Sequence, residues 1–233
     1  KGFTRIIPPG DEDDAKMAPI RENPPPHDWL PAIEVRGEGI FLEFSAHALN
    51  QWDDEYVKAR AKRVDENWAL EWQNRGYDPA KRRTITARFL LLHTFAHAFM
   101  RQLTLDCGYS TAALRERLYV REEPEFSMAG VLIYTGTSDA DGTLGGLQRQ
   151  GEAARLLRSL PAAIQSMEWC SSDPLCIEGV LSGQAGLSIS ACHACVLAPE
   201  TACEEFNRFL DRALLVGLPE QKGVGYFEGL LRT

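Results

Sequence analysis

The sequence predicts an α+β fold in which mixed helices and a small sheet are joined to a C-terminal four-cysteine zinc-binding subdomain. Three observations point to this class. The chain has 233 residues, 44% hydrophobic and 25% charged, which is enough apolar surface for a full core. Apolar runs with strand spacing alternate with longer segments of helical spacing. Five of the six cysteines lie between Cys170 and Cys203.

The chain divides into an N-terminal arm and one domain. Residues 1–31 contain GDEDD and ENPPPHDWLP, which are too rich in acidic residues and proline to pack alone. We expect them to form a linker or an arm laid on another surface. Residues 32–233 are expected to form a single α+β domain, with residues 168–217 as its zinc-binding segment. Because the chain starts at Lys1 without a signal-peptide pattern, we expect a piece of a longer protein.

The first half of the domain predicts a hairpin followed by helices. The alternating segment IEVRGEGIFLEF, residues 33–44, predicts two strands around a glycine turn. Residues 46–75 carry tryptophans at helical offsets and predict one long helix or two shorter ones. Residues 83–110, RTITARFLLLHTFAHAFMRQLTLDCGYS, are apolar nearly all round a helical projection and predict the core helix.

The second half predicts a buried strand between helices. Residues 110–120, STAALRERLYV, predict a short helix capped by Ser110, and MAGVLIYTG predicts a buried strand. TSDADGTLGG then predicts a flexible loop. LQRQGEAARLLRSLPAAIQSMEW predicts an amphipathic helix broken or stepped at Pro161, and FNRFLDRALLVGL predicts the last helix.

The cysteine spacing predicts a structural zinc site. A disulfide framework is typical of small secreted proteins, whereas this chain has a sizeable core and no secretory signal. Four thiolates close a tetrahedron around Zn²⁺ and leave no open position for catalysis. Buried thiols, a redox pair and an iron–sulfur cluster remain as alternatives. The five candidate metal ligands are Cys170, Cys176, Cys192, Cys195 and Cys203.

Five candidates compete for four positions. Cys192 and Cys195 come first, since a C-x-x-C turn directs two sulfurs at one ion. Cys203 and Cys176 rank next. Cys170 is the surplus candidate, as a buried thiol or an alternative ligand.

Two other patterns are weaker. His93 and His97 lie one helical turn apart in HTFAH, but Thr94 stands where a zinc protease has its glutamate, and no third ligand is evident. We expect satisfied core histidines. The loop of residues 135–146 lacks the lysine of a phosphate loop and the acids of a calcium loop, which favours a plain loop over a phosphate contact. No catalytic residue is predicted.

The charge pattern limits the partners. A net charge of −8 argues against a protein that coats nucleic acid or anionic lipid. No apolar run reaches the roughly 20 residues of a membrane span. Three basic groups favour solvated helix faces: Arg60, Lys62, Arg63; Lys81, Arg82, Arg83; Arg115, Arg117, Arg121. For the second and third groups, a nucleic-acid groove is the alternative.

A family resemblance rests on the cysteine block. CSSDPLC followed by ACHACVLAPETACEEFNRFLDR resembles the zinc-binding domain of MrfA-like helicases. Within that superfamily it is most similar to the DrmB-like, helicase-associated subunits of the bacterial DISARM anti-phage system. HTFAHAFMRQL, GVLIYTG and DGTLGGL fit the same domain, so the resemblance covers roughly residues 85–217.

The resemblance also bears on the ligands. Helicase relatives show a GCPSC and a KCGN pattern; Cys192 and Cys195 match the first, and Cys203 with Asn207 matches the second. The upstream CSSDPLC departs from the family pattern. This leaves the fourth ligand open between its two cysteines.

The resemblance implies a non-catalytic partner of a helicase. DrmB-like proteins work with a separate helicase subunit, DrmA, which holds the ATP motor and engages DNA. We expect a zinc-containing subunit that forms a heterodimer with a DrmA-like helicase in the bacterial cytoplasm and helps it engage foreign DNA, without a membrane or small-molecule substrate. The alternatives are an autonomous zinc-stabilised nucleic-acid-binding module and a metal-dependent nuclease or hydrolase that uses His93 and His97.

Overall fold

The computed structural model describes residues 2–3, 18–19, 34, 37–136, 146–179 and 186–231. The chain has two compact units, residues 1–35 and 36–233. In the first unit, strand β1 (Gly2–Phe3) pairs antiparallel with strand β2 (Ala18–Pro19). The remainder of the predicted arm lies outside the described residues, so its linker character stays a prediction.

The second unit combines helices with a small sheet and confirms the predicted α+β class. Strands β3 (Gly39–Glu43), β4 (Leu114–Arg121) and β5 (Met128–Thr135) form an antiparallel sheet in the order β3-β5-β4. The helices of the described residues are α1 (Ala46–Trp52), α2 (Glu55–Asn74), α3 (Ala87–Cys107), α4 (Gly146–Gln150), α5 (Ala153–Gln165), α6 (Ala213–Val216) and α7 (Glu228–Leu231). None of these helices is long and apolar enough to cross a membrane.

Helix α3 is the centre of the core, as its all-round apolar pattern predicts. The Thr86 side chain accepts a hydrogen bond from Phe89 N at 3.2 Å and caps the first turn. Gly108 ends the helix in the left-handed conformation with a φ of 75°, which glycine adopts without a steric penalty. Between these ends α3 packs on β4 and β5 and contacts α2, α5 and α6. Side chains on α3 therefore face several elements at once.

The predicted hairpin strand and the predicted helix of residues 46–75 are both present, with a pairing partner and helix bounds that the sequence did not specify. Strand β3 pairs with β5, with Ile40 opposite Ile133, and the first arm of the predicted hairpin lies, apart from Glu34, outside the described residues. The predicted helix of residues 46–75 is two helices. Asp54 begins the second one, because its carboxylate accepts a hydrogen bond from Val57 N at 2.9 Å.

The predicted short helix after Ser110 is wrong beyond one turn. Ser110 does cap a 3₁₀ turn at Thr111–Ala113, but the chain then continues as β4. The reason is the alternation of Leu114, Glu116 and Leu118, which are all buried on one face of the strand.

The helices near the C-terminal end also differ from expectation. Helix α5 continues through Pro161, and the step lies earlier, at the turn between α4 and α5. The predicted last helix of residues 206–218 is reduced to α6. Phe206, Asn207 and Phe209 have positive φ values and cannot continue a right-handed helix. In the predicted flexible loop, residues 137–145 lie outside the described part of the chain.

Candidate metal centres

Four cysteines converge at zinc spacing. The Sγ atoms of Cys170 and Cys192 are 3.4 Å apart, those of Cys192 and Cys195 3.6 Å, and those of Cys176 and Cys195 3.7 Å. All four Sγ atoms lie within 4.8 Å of one another. A tetrahedron with Zn–S bonds of about 2.3 Å places its sulfurs about 3.8 Å apart. This four-cysteine cluster therefore fits one zinc ion, and its thiols are not joined as disulfides.

Two local turns aim the sulfurs. In the C-x-x-C turn, Cys195 N donates to Cys192 O at 3.2 Å, and Cys192 N donates to Cys195 Sγ at 3.3 Å. In the CSSDPLC turn, the Asp173 carboxylate accepts hydrogen bonds from Cys170 N at 2.8 Å and from Ile177 N at 3.0 Å. Asp173 thus fixes the backbone at Cys170 and directly after Cys176.

A buried arginine supports the CSSDPLC turn. Arg212 is fully buried and donates from Nη2 to Asp173 Oδ1 at 2.5 Å and from Nη1 to Met167 O at 2.8 Å. Its positive charge also lowers the pKa of Cys176, against the larger effect of burial. The guanidinium therefore orients the turn and offsets negative charge on the thiolates.

The thiols of the cluster hold their protons unequally when no ion is bound. Burial and the neighbouring thiols raise the pKa of Cys176 far above its usual range, and burial raises that of Cys195 to about 11. Burial also acts on Cys192, but hydrogen bonds from Cys170 and Ala194 outweigh it and lower the pKa to about 7. Metal binding at neutral pH must therefore displace protons from Cys176 and Cys195.

The fifth candidate, Cys203, belongs to a different group. Its Sγ lies 3.2 Å from His93 Nε2, which is also 3.1 Å from Glu116 Oε1. His97 Nε2 is 3.6 Å from the same Glu116 oxygen. Both histidines have no solvent exposure, and the donor atoms of all four residues lie within 4.8 Å of one another. We call His93, His97, Glu116 and Cys203 the mixed cluster.

Three elements build the mixed cluster. Helix α3 supplies the two histidines one turn apart, and β4 supplies Glu116 from its buried face. Cys203 comes from the segment after the C-x-x-C turn, where its Sγ accepts hydrogen bonds from Glu205 N at 3.4 Å and Asn207 N at 3.2 Å. Such N–H donors stabilise a thiolate.

The mixed cluster holds charged groups close together. Burial lowers the pKa of His97, but the Glu116 carboxylate outweighs it and raises the value to about 9; His93 is raised well above its usual range for the same reason. Burial raises the pKa of Glu116, but the imidazoles hold it well below its usual range. Burial likewise raises the pKa of Cys203, and the neighbouring histidines, of which His93 is hydrogen-bonded to the thiol, lower it overall.

The grouping differs from the ranking that the sequence favours. Cys176, Cys192 and Cys195 lie together, but Cys170 completes their cluster and Cys203 stands apart from it. The reason is that the segment of Cys203 is drawn to the sheet, where Glu116 N donates to Ala202 O at 3.1 Å.

Sequence reasoning did not find Glu116 as a partner of the two histidines. A usable signal is present, because Glu116 is the one charged residue among the inward positions of LRERLYV when that segment is read as a strand. Reading the segment as a helix hides this signal.

Most side chains of the three basic groups form ion pairs with acidic residues of the chain itself. Arg60 is buried and donates two hydrogen bonds to Asp211, at 2.5 and 3.0 Å. Arg82 pairs with Asp65 at 2.5 Å. The remaining ion pairs of these groups are Lys62–Glu66, Lys81–Asp78, Arg83–Glu205, Arg117–Glu204 and Arg121–Glu123. Only the exposed pairs are weak enough for an external anion to compete.

Part of the chain is similar to a known family of zinc-binding domains. Residues 95–196 match the model of MZB, the MrfA Zn-binding domain. This segment of the chain is therefore similar to an MrfA Zn-binding domain. The matched residues include the whole four-cysteine cluster, whereas His93 and Cys203 of the mixed cluster lie outside them. The match and the cluster together confirm the predicted structural zinc.

A curated relative extends over the rest of the chain. The chain is 38% identical over 99% of its length to the DISARM protein DrmB of Bacillus paralicheniformis. It spans 40% of the length of that protein. The similarity therefore includes residues 95–196 and the residues on both sides of them, and confirms the resemblance to DrmB-like proteins.

Proposed function

We propose that this chain is the zinc-stabilised part of a DrmB-type protein of a DISARM anti-phage system. In this role it is a non-catalytic subunit that binds a DrmA-like helicase, as a heterodimer in the bacterial cytoplasm, and helps it engage foreign DNA. The proposal is carried by the four-cysteine cluster, which has zinc spacing and lies within the matched MrfA Zn-binding domain. The similarity to DrmB along 99% of the chain supports the system assigned.

The four-cysteine cluster is proposed as the zinc site. Its residues come from the turn after α5 and from the C-x-x-C turn, so a shared ion cross-links two segments that residues 177–191 separate. Zinc contributes folding energy in such a site, and an all-thiolate shell leaves no position for a substrate. Its role here is therefore to stabilise a surface.

The tip of the CSSDPLC turn is the proposed contact with the helicase. Trp169 and Leu175 are 73% and 84% exposed, next to Cys170 and Cys176. Tryptophan is enriched in protein–protein hot spots, and a neighbouring leucine adds apolar area around it. Zinc bound to the adjacent cysteines fixes their positions, which links metal binding to partner binding.

Co-purification of the intact protein with a tagged DrmA-like helicase tests this function. Cys170→Ser and a Trp169→Ala/Leu175→Ala double variant should each lose most of the bound helicase and of the protection in a plaque assay. Cys107→Ser and Leu105→Ala are matched controls, because Cys107 lies outside both clusters and Leu105 is equally exposed on α3. Undiminished helicase binding by a zinc-free Cys170→Ser protein would contradict the proposal.

A hydrolase that uses His93 and His97 receives no support from the site. Both imidazoles are fully buried, and their Nε2 atoms face Glu116 inside the core. A hydrolytic metal needs an open position that water and substrate can reach. The mixed cluster offers neither.

A second candidate function, direct contact with single-stranded DNA, is favoured by the outer face of the sheet. Arg115, Arg117, Tyr119 and Arg121 alternate along β4 on the side away from the buried Leu118. The Tyr119 ring contacts the exposed Phe41 ring of β3, with centroids 5.7 Å apart. Exposed aromatic rings flanked by arginines are typical of stacking platforms for single strands.

Anisotropy of a labelled oligonucleotide separates this candidate from a helicase-only role. Tyr119→Ala and Arg117→Ala should each weaken binding by about tenfold, since base stacking contributes roughly 1–3 kcal/mol per base. Lys62→Ala, an exposed cation on α2, is the control for net charge. Equal losses in all three variants would leave only non-specific attraction and reject the sheet face.

A further inference from the structure

The mixed cluster contains buried polar atoms without partners. Among the described residues, His97 Nε2 and Glu116 Oε2 are buried side-chain atoms that form no hydrogen bond. Glu116 is only 3% exposed, so water does not replace the missing partners from the surface. Buried groups of this kind are rare because leaving them unpaired is costly. Their presence indicates that another species belongs at this point.

Backbone contacts fix the orientation of both imidazoles. His93 Nδ1 lies 3.1 Å from Phe209 O, and His97 Nδ1 lies 2.8 Å from Val196 O. A carbonyl oxygen only accepts hydrogen bonds, so both Nδ1 atoms carry the proton. In a neutral imidazole the Nε2 lone pair then faces the cluster. Metal-binding histidines are held in this way by a carbonyl on their other nitrogen.

We propose that His93, His97, Glu116 and Cys203 form a second metal centre, which binds Zn²⁺ or a similar divalent transition ion. Two imidazole nitrogens, a carboxylate oxygen and a thiolate sulfur are all zinc ligands. Tetrahedral zinc with this donor set places neighbouring donor atoms about 3.3–3.6 Å apart. The separations of 3.1, 3.2 and 3.6 Å lie in that range or within about 0.2 Å of it.

Shared protons are the alternative way to satisfy this cluster. In that alternative both His93 and His97 are imidazolium ions, with ring centroids 4.7 Å apart in the core. Their counter-charges are one carboxylate and one thiolate. In that state a protonated His97 Nε2 still has no acceptor within hydrogen-bonding distance, because Glu116 Oε1 is 3.6 Å away. One metal ion satisfies all four donors at once.

The second centre joins three parts of the domain. Its ligands lie on α3, on β4 and in the segment between the C-x-x-C turn and α6. That segment contains positive φ values at Phe206, Asn207 and Phe209 and forms no regular element. A metal ion held by Cys203 would fasten it to the core, so the centre is structural.

Metal content of the full 233-residue chain tests the proposal. Wild type should contain two equivalents of zinc by elemental analysis, and Glu116→Gln and Cys203→Ser should each contain one. Cys170→Ser should lose the other equivalent, and Cys107→Ser should keep both. After cobalt substitution, the metal left in Cys203→Ser should show the strong charge-transfer bands of four thiolates. One equivalent in wild type, unchanged in Glu116→Gln and Cys203→Ser, would overturn the proposal.

A second test uses the wild-type chain alone, so its result does not depend on whether a substituted chain folds. With both centres filled, X-ray absorption at the zinc edge should give about 2.5 sulfur and 1.5 nitrogen or oxygen ligands per zinc. A single four-thiolate centre gives four sulfurs and no light-atom ligand. An all-sulfur shell would therefore also overturn the second centre, without any substitution in the chain.

Discussion

The Nδ1 atom of His97 lies 2.8 Å from the carbonyl oxygen of Val196, the residue that follows the last cysteine of the four-cysteine cluster. The core helix thus contacts the C-x-x-C turn directly. Arg101, one turn further along α3, donates to the carbonyls of Ala194 and Cys195. The same helix face orients a ligand of the mixed cluster and supports the four-cysteine cluster. Loss of either cluster should therefore loosen the segment between them.

Removal of zinc should destabilise the domain. Because metal binding and folding are coupled in four-thiolate sites, we expect excess chelator to lower the thermal unfolding midpoint by more than about 10 °C. Cys170→Ser, which loses only the metal of the four-cysteine cluster, should show a smaller decrease without chelator, and Cys107→Ser should behave as wild type. Calorimetry with and without chelator measures this. A chelated chain that unfolds at the wild-type temperature would show that no bound metal supports the fold.

Asp173 should control zinc affinity without being a ligand. Asp173→Asn removes a carboxylate that holds Cys170 N, Ile177 N and the buried Arg212. Partners behind metal ligands typically contribute 10–100-fold in affinity, and we expect a loss in that range. Competition with a chromogenic zinc chelator measures it. Glu178→Gln, an exposed acid in the same turn, should retain wild-type affinity; an equal loss there would point to a general charge effect.

The buried ion pair between Arg60 and Asp211 should be essential for stability. Asp211 has no solvent exposure and also accepts a hydrogen bond from Ala213 N at 3.1 Å. Asp211→Asn leaves the Arg60 charge buried without a counter-charge, which should cost about 3–5 kcal/mol in urea denaturation. Arg63→Gln, in the same basic group but exposed, should change stability by less than about 0.5 kcal/mol. Similar effects of the two substitutions would rule out a specific role for the buried pair.

The local part of the site could be predicted from the sequence. The C-x-x-C turn is self-contained, so Cys192 and Cys195 follow from spacing alone. The core helix follows equally well, because its apolar pattern surrounds the whole projection. Long-range partners could not be predicted in this way. Spacing does not tell whether Cys170 or Cys203 returns to the turn, since that depends on which surface each segment contacts.

The mixed cluster depends on information that a linear pattern lacks. Glu116 meets His93 and His97 only because β4 packs against α3 with its glutamate inward. The apolar alternation that predicts this face is short, and the preceding Ser110 cap signal favours a helix. Positive φ values at Phe206 and Asn207, both non-glycine residues, likewise break a segment that reads as helical. Tertiary contacts decide both cases.

Asn207 should be more sensitive to alanine than to glycine, the reverse of the usual order. Its side chain accepts a hydrogen bond from Ala198 N at 2.9 Å and donates to Ala198 O at 2.7 Å, while its backbone has a φ of 59°. Asn207→Gly loses only the side-chain bonds and should cost about 1–2 kcal/mol. Asn207→Ala loses the same bonds and keeps a β-carbon in the left-handed region, where alanine costs about 1 kcal/mol more than glycine.

Urea denaturation of the two Asn207 variants, with Glu200→Ala as an exposed control in the same segment, measures the difference. The backbone N–H of Asn207 donates to Cys203 Sγ at 3.2 Å. If Asn207 positions that thiolate, Asn207→Ala should in addition lower the zinc content of the chain towards one equivalent, while Asn207→Gly retains more. A glycine variant that is less stable than the alanine variant would show that chain entropy, rather than left-handed strain, governs this position, because glycine increases the freedom of the unfolded chain.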